Sequence, residues 1–237
     1  MKVIAVIPAR LASTRLPRKM LREIHGLPLV VWVYEAVRAS SMLDDVIVAT
    51  DSEEILEVCG KHSCNARMTS VKHRSGTERV HEIAQSVDAD VYLNVQGDEP
   101  MIQAAHIESL VELMQDTNIS MGTLRTPATK EDIANPNAVK VVTDLNNRAL
   151  YFSRSTIPYD RDASQPRYFK HLGIYAYRKP ALEQFVTLPE SSLERAERLE
   201  QLRFLENGIP IFAGETPYDS IGVDTEEDLT RVMKMLS

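Results

Sequence analysis

The sequence predicts an α/β protein built on a doubly wound, mostly parallel sheet, and two observations carry that prediction. Short β-branched runs, "KVIAVIPA" and "DDVIVATD", flank "PLVVWVYEAVRAS", whose apolar residues fall at helical spacing, so strand, helix and strand follow one another. Further on, "ADVYLNV" is apolar almost without interruption, the pattern of a strand covered by helices on both faces. Right-handed crossovers between such strands wind the helices onto both sides of one sheet.

The remaining elements follow in order. "SEEILEVCGKH" and "TERVHEIAQSV" read as helices, and another is expected to start near residue 103. Beyond residue 117, "ISMGTLRT", "AVKVVTD", "ALYFSRS" and "YFKHLGIYAYR" are strand-like pieces without long helices between them. Over about residues 118–178 they predict a mixed extension of the sheet, or a lobe beside it, within a single domain. A helix is expected over about 191–206, where Ser191 and Glu194 have capping-box spacing and Asn207-Gly208 makes a stop. Leu193, Ala196, Leu199, Leu202 and Leu205 recur every third residue and read as its core face. "IPIFAGE" predicts a last strand and "TEEDLTRVMKML" a last helix with its acids in the first turn.

With 237 residues, 43% of them hydrophobic, the chain is large enough to bury a full core. No apolar run approaches the roughly 20 residues of a membrane span, and the first strand turns into a loop at Pro8 before a signal-peptide pattern develops. The expected location is the cytoplasm. Cys59 and Cys64 are the only cysteines; the spacing "CGKHSC" invites zinc, but no second cysteine cluster completes a four-ligand site, so plain thiols are expected. A net charge of -7 argues against nucleic acid or an anionic membrane as partner. Yet Arg10, Arg15, Arg18, Lys19 and Arg22 crowd positions 10 to 22 with no acid among them. A local basic loop in an acidic protein predicts a small, highly charged anion, the alternative being a solvated basic face.

That loop leaves the first strand, where ligands bind in open α/β sheets. It matches neither G-x-G-x-x-G nor G-x-x-x-x-G-K-S/T. Its small residues Ala9, Ala12, Ser13 and Thr14 let backbone N–H groups approach a phosphate chain, which Arg10 and Lys19 would neutralise. In "NVQGDEP", Gly97 permits a tight turn that projects Asp98 toward the same edge, and a carboxylate facing phosphates calls for magnesium between them. The competing role for Asp98 is as cap of the helix near residue 103. Asp224 in "IGVDTEEDL" offers a second carboxylate, or again a cap. In "HRSGTERV", Ser75, Gly76 and Thr77 lead into a helix N-terminus with free N–H groups; His73 is given no catalytic role.

Taken together, "IPARLASTRLPRKML", "HRSGTERV", "NVQGDEPMI", "NAVKVV", "ALYFSRSTIP", "KHLGIYAYR", "LERAERLEQLR" and "GVDTEEDL" resemble the 3-deoxy-manno-octulosonate cytidylyltransferases, or CMP-KDO synthetases, in order along nearly the whole chain. The resemblance implies the nucleotide-diphospho-sugar transferase (Rossmann-like) fold and a homodimeric cytoplasmic enzyme. Such an enzyme transfers CMP from CTP to the eight-carbon acid KDO for lipopolysaccharide synthesis, with release of pyrophosphate. It places the nucleotide on Ala9, Arg10, Ser13, Thr14 and Lys19, with Arg15 assisting and Ser75 and Gly76 near the cytosine. Magnesium falls to Asp98 and Asp224. The sugar falls to Arg79, Gln96, His171, Tyr175, Glu200 and Gln201. Arg10, Lys19, Asp98 and Asp224 are the expected catalytic residues.

One departure stands out: the family commonly has glycine where this chain has Arg18, between Pro17 and Lys19, so a positive φ there would strain the arginine. A Pro-x-Lys loop also occurs in the related CMP-sialic acid synthetases, which lack "QGDEP", "HLGIYAYR" and "LEQLR" in this form. A non-catalytic CTP or sugar-nucleotide sensor is the reading from another class, and an amino analogue of KDO is an alternative acceptor. A sensor has no need of paired metal carboxylates.

Overall fold

The computed structural model describes residues 1–236. Strand β1 (Val3–Ala9) enters the basic loop, which closes in a single 3-10 turn at Lys19–Leu21 before the small hairpin β2 (Glu23–Ile24) and β3 (Leu27–Pro28). Helix α1 (Leu29–Arg38), β4 (Asp45–Thr50), α2 (Glu53–Lys61), β5 (Ala66–Met68), α3 (Gly76–Ser86), β6 (Val91–Asn94) and α4 (Ala104–Leu113) complete the alternating half. Then come β7 (Met121–Pro127), α5 (Lys130–Ala134), β8 (Lys140–Thr143), β9 (Ala149–Ser153), β10 (Phe169–Arg178), α6 (Lys179–Thr187), α7 (Ser192–Glu197), α8 (Leu202–Glu206), β11 (Phe212–Glu215) and α9 (Glu226–Met235).

The main sheet runs β11-β7-β10-β6-β1-β4-β5, with β8 and β9 branching from β10. Strand β10 is antiparallel to both its neighbours, β6 and β7, while β6, β1, β4 and β5 pair in parallel, as do β7 and β11. The sheet is therefore mostly parallel, as the sequence predicts. The strand-rich stretch extends this sheet rather than forming a separate lobe: β7 and β10 lie inside it.

Burial on both faces explains why the central strands read as continuous apolar runs. Val3, Ala5, Ile7 and Ala9 of β1 join one core cluster with α1, α4 and α9; Ile4 and Val6 join the other with α3, α6 and α8. The same alternation divides Val91 and Leu93 of β6 from Tyr92. Each of the valines, isoleucines and leucines among them contributes roughly 1.5–3 kcal/mol on burial.

Strand β6 follows β5 in sequence but pairs on the other side of β1. This reversal opens a crevice at the carboxyl ends of β1 and β6.

The helix expected over 191–206 is two helices. Ser191 and Glu194 do form the capping box, with the Ser191 hydroxyl accepting from Glu194 N–H, but Arg198 adopts a left-handed conformation at φ 55° and ends α7. The three-residue apolar period therefore does not lie on one face: Leu199 and Leu202 are buried, Leu205 is half-buried, and Leu193 and Ala196 are exposed. At the far end Asn207 caps α8 and Gly208 takes φ 72°, as expected. Short β5 and helix α6 carry no pattern that the sequence reading used.

Helix α8 is pinned to the sheet by Phe204, whose ring stacks on Phe185 of α6 at 5.0 Å and on Tyr177 of β10 at 6.0 Å. Replacing Phe204 by Ala leaves a cavity beneath α8, and we expect the loss of about 3–5 kcal/mol typical of such truncations. Urea denaturation of the two proteins checks this; a loss under about 1 kcal/mol would mean that α8 is held by other contacts.

Candidate active site

The crevice is a cavity of about 770 Å³, walled by the basic loop, the turn after β6, the N-terminus of α3, β10 and the α7–α8 junction. Arg10, Ser13, Thr14, Arg15 and Lys19 line it from the loop, Ser75, Gly76 and Arg79 from α3, Gln96 and Asp98 from the β6 turn. Tyr175, Glu200, Gln201 and Asp224 complete the expected set.

Lys19 is the electrostatic centre. It is 7% exposed, and its Nζ donates to Asp98 Oδ2 and, at 3.0 Å, to Asp224 Oδ1. Burial pulls its pKa down, but the charge of Asp98 and hydrogen bonds to both carboxylates outweigh that and leave the ammonium raised above its ordinary value. Arg15 Nη2 meets the same Asp224 Oδ1 at 2.9 Å.

Backbone contacts bring the carboxylates together although 126 positions separate them in the sequence (224 − 98). Val223 N–H donates to the Asp98 carbonyl at 2.8 Å. Arg22, just past the 3-10 turn, pairs with Glu226 at the start of α9 through both guanidinium nitrogens, at 2.8 and 2.6 Å. Gly97 is required by close approach: a Cβ there would sit 3.0 Å from Met20 Sδ and 3.1 Å from the Pro8 carbonyl.

Neither carboxylate is a helix cap. Helix α4 starts at Ala104, where His106 Nδ1 accepts from the Gln103 N–H at 3.0 Å, and α9 is capped by Thr225 and Asp228. Ser75 caps α3, its hydroxyl accepting from Glu78 N–H at 3.2 Å.

The α7–α8 wall is polar and enclosed. The Thr77 hydroxyl donates to Glu200 Oε2, and burial raises the Glu200 carboxyl above its ordinary value. Gln201 is 4% exposed, and its Nε2 is buried without a hydrogen-bond partner among the described residues. Gln96 Nε2 donates to Asn94 Oδ1 at 3.0 Å. Burial also pushes the Tyr175 phenol well up, so it stays a neutral donor.

Three expected residues are placed differently from the rest. Ala9 is fully buried at the end of β1 and is not among the residues that line the cavity. Arg79 lines the cavity but is already neutralised: it donates to Asp51, to Thr69 Oγ1 at 2.7 Å and to the Ser70 carbonyl at 3.3 Å. His171, expected at the sugar, is not among the residues that line the cavity. It is packed behind Tyr175 with ring centroids 5.5 Å apart, edge-on to Phe152 at 4.8 Å, its Nε2 2.9 Å from Thr123 Oγ1. The two rings, four residues apart on one face of β10, meet at a tilt of 49°, and of the two only Tyr175 lines the cavity.

Sequence reading also missed wall residues: Asn94, Arg74, Arg154 and Arg198. Asn94 ends the buried strand and Arg154 ends "ALYFSR", which is where functional side chains sit in such sheets. His73 lines the wall as well, held by Glu82. Arg18 adopts φ 56°, the strained conformation feared from the missing glycine, and its guanidinium pairs with Glu54 at the start of α2.

Comparison with known proteins gives the chain its family. A family model described as Cytidylyltransferase matches residues 4–213. A 3-deoxy-manno-octulosonate cytidylyltransferase of Koribacter versatilis is 66% identical over 99% of this chain and 90% of its own length. One of Acidobacterium capsulatum is 56% identical over 100% of this chain and 97% of its own. The structure of a CMP:2-keto-3-deoxy-manno-octonic acid synthetase complexed with CTP superposes with a TM-score of 0.96 at 42% identity, covering 100% of this chain and 98% of that one. HddC from Yersinia pseudotuberculosis, complexed with GMP-PN, shares the fold with a TM-score of 0.72 at 14% identity, over the full length of both chains.

Burial lowers the His171 pKa to about 3, from an ordinary value of 6.5. A depressed pKa means the folded state binds fewer protons, so this stability is complete above pH 6.5 and is lost as pH falls toward 3. The group should cost up to about 1.4 kcal/mol per pH unit inside that window. Urea midpoints measured from pH 7.5 down to 5 should fall less steeply for His171→Gln than for the parent; parallel profiles would sink the assignment.

Proposed function

This chain belongs to the cytidylyltransferase family, and we propose that it is a CMP-KDO synthetase, transferring CMP from CTP to 3-deoxy-D-manno-octulosonate and releasing pyrophosphate. It is thus a nucleotidyltransferase that activates KDO for lipopolysaccharide synthesis. One observation carries the assignment to this site: a basic loop and two converging carboxylates face a polar wall whose Gln201 amide is buried and unpartnered. The first half fits a triphosphate; the second fits a polyhydroxylated acceptor.

Asp98 and Asp224 suit magnesium. They are hard oxygen donors that already share one cation, and no cluster of three or more His, Cys, Asp or Glu able to hold a metal occurs among the described residues. Magnesium takes one or two carboxylates and completes its shell with water and substrate oxygens. When bound there it supplies neutralisation of the triphosphate charge and lowers the pKa of the acceptor hydroxyl.

The protein's own groups do the rest. Arg10 and the loop N–H groups hold the phosphates, with Ser75 and Gly76 at the base end. Lys19 and Arg15 give up the carboxylates for the phosphates and take up charge on the α-phosphate and leaving group. Tyr175, Glu200 and Gln201 orient the acceptor so that its anomeric hydroxyl lies in line with the bond to pyrophosphate. The new P–O bond forms as that bond breaks, and positioning supplies much of the acceleration. Pairing of chains and a cytoplasmic setting belong to the same proposal; no helix among the described residues is long and apolar enough to cross a membrane.

Pyrophosphate release in a coupled assay with CTP, Mg²⁺ and KDO, or its amino analogue, tests the function; no release with any acceptor would favour the sensor. Asp98→Asn should lower kcat by about 10³-fold or more, since it removes a metal ligand and a charge partner of Lys19 together. Its circular dichroism should match the parent's, and a chelator should abolish parent turnover. Turnover within tenfold of the parent in Asp98→Asn would overturn the metal assignment.

A further inference from the structure

The break between α7 and α8 is held open from outside. Ser153 Oγ and the Arg154 N–H donate to the two carboxylate oxygens of Glu197 at 2.6 and 2.9 Å. The Arg154 guanidinium donates to the carbonyls of Glu197 at 2.7 Å and Pro136 at 3.1 Å, with the Arg198 carbonyl at 3.5 Å. Arg198 itself takes φ 55°, a conformation that costs an L-residue about 1–2 kcal/mol and that glycine would adopt freely. Strain of this kind persists where the surrounding structure over-determines it, and such positions gather at ligand sites.

The break turns four consecutive residues, Arg198, Leu199, Glu200 and Gln201, onto the cavity wall. Arg198 is exposed there and forms no ion pair among the described residues. The other arginines of the wall are differently disposed. Arg79 is neutralised by Asp51, Arg154 spends its donors on backbone carbonyls, and Arg10 and Arg15 lie on the phosphate loop. Arg74 stands on the turn entering α3, beside Ser75 and Gly76 at the base end.

We propose that Arg198 is a specificity-determining residue that binds the carboxylate of the acceptor. The proposal rests on the function assigned above: KDO carries a single anionic group, and Arg198 is the unpaired cation beside Glu200 and Gln201. A guanidinium fork matches a carboxylate bidentately, and the held-open turn fixes the backbone from which the fork reaches into the cavity.

The test compares the parent with Arg198→Gln, Arg198→Lys and Arg198→Gly, the last of which keeps the left-handed turn. Initial rates of pyrophosphate release give KM for CTP and for KDO separately. Loss of a charge-assisted contact should raise the KDO KM about 10- to 100-fold in the Gln and Gly variants. The CTP KM should stay within about threefold, and Lys should recover part of the loss. A KDO analogue reduced to the alcohol at the carboxylate should lose the same factor with the parent and nothing further with Arg198→Gln. An unaltered KDO KM in both variants, or an equal loss on the reduced analogue in parent and variant, overturns the proposal and leaves the enzyme assignment standing. Absence of turnover by the parent with KDO overturns both.

Discussion

One buried ammonium organises this protein. Lys19 sits almost out of contact with water and, among the described residues, finds compensation in Asp98 and Asp224 alone. A lysine in such a place stays charged only if opposite charges come to it. The constraint therefore draws three distant segments to one point: the loop after β1, the turn after β6 and the lead-in to α9. The Val223–Asp98 backbone bond and the Arg22–Glu226 pair fasten the same junction from two sides. Strand order sets the stage for it, because β6 returns to the far side of β1 and leaves the ends of both strands open to a ligand.

The charge pattern also resolves how an acidic chain can take an anion. Its site cations are divided into those already paired and those left free. Lys19, Arg15 and Arg79 are paired with Asp224, Asp98 or Asp51, so the resting cavity is far less positive than its arginines and lysine alone would make it. Arg10, Arg74 and Arg198 form no ion pair among the described residues. Ligand phosphates thus compete for cations that are already positioned, which limits the reorganisation needed on binding.

Much of this was legible in the sequence, for stated physical reasons. Alternating burial on both faces made β1, β4 and β6 readable as apolar runs, and helical spacing made α1, α2 and α3 readable. Asp98 and Asp224 were legible because each follows a short apolar piece at a turn. The errors fall where local pattern and tertiary context disagree. A three-residue apolar period looked like one helix face, yet Arg198 adopts a conformation that its side chain disfavours, and nothing in "LERAERLEQLR" signals it. His171 and Tyr175 share a strand face, and period-2 alternation alone cannot tell which of the two rings lines the cavity. Nothing local in the sequence signals that Arg79 pairs with Asp51, which lies 28 residues away.

Arg18 and Arg198 make the same physical point, one next to a cavity-lining residue and the other on the wall itself. Both are arginines at φ near 55°, where glycine would be unstrained, and each stands next to a segment that lines the site. At Arg18 the guanidinium pairs with Glu54 on α2, both groups largely exposed, and such a surface pair contributes at most about 1 kcal/mol. That is comparable to the strain and no larger. What holds the turn is its neighbour: Lys19 must reach both carboxylates, and this fixes the backbone that carries Arg18. At Arg198 the fixing contacts come from Ser153 and Arg154 on the end of β9, which grip Glu197 one residue earlier. In each case the strained residue is set by stronger interactions made next door, so the strain is a consequence of site geometry rather than a cause of it.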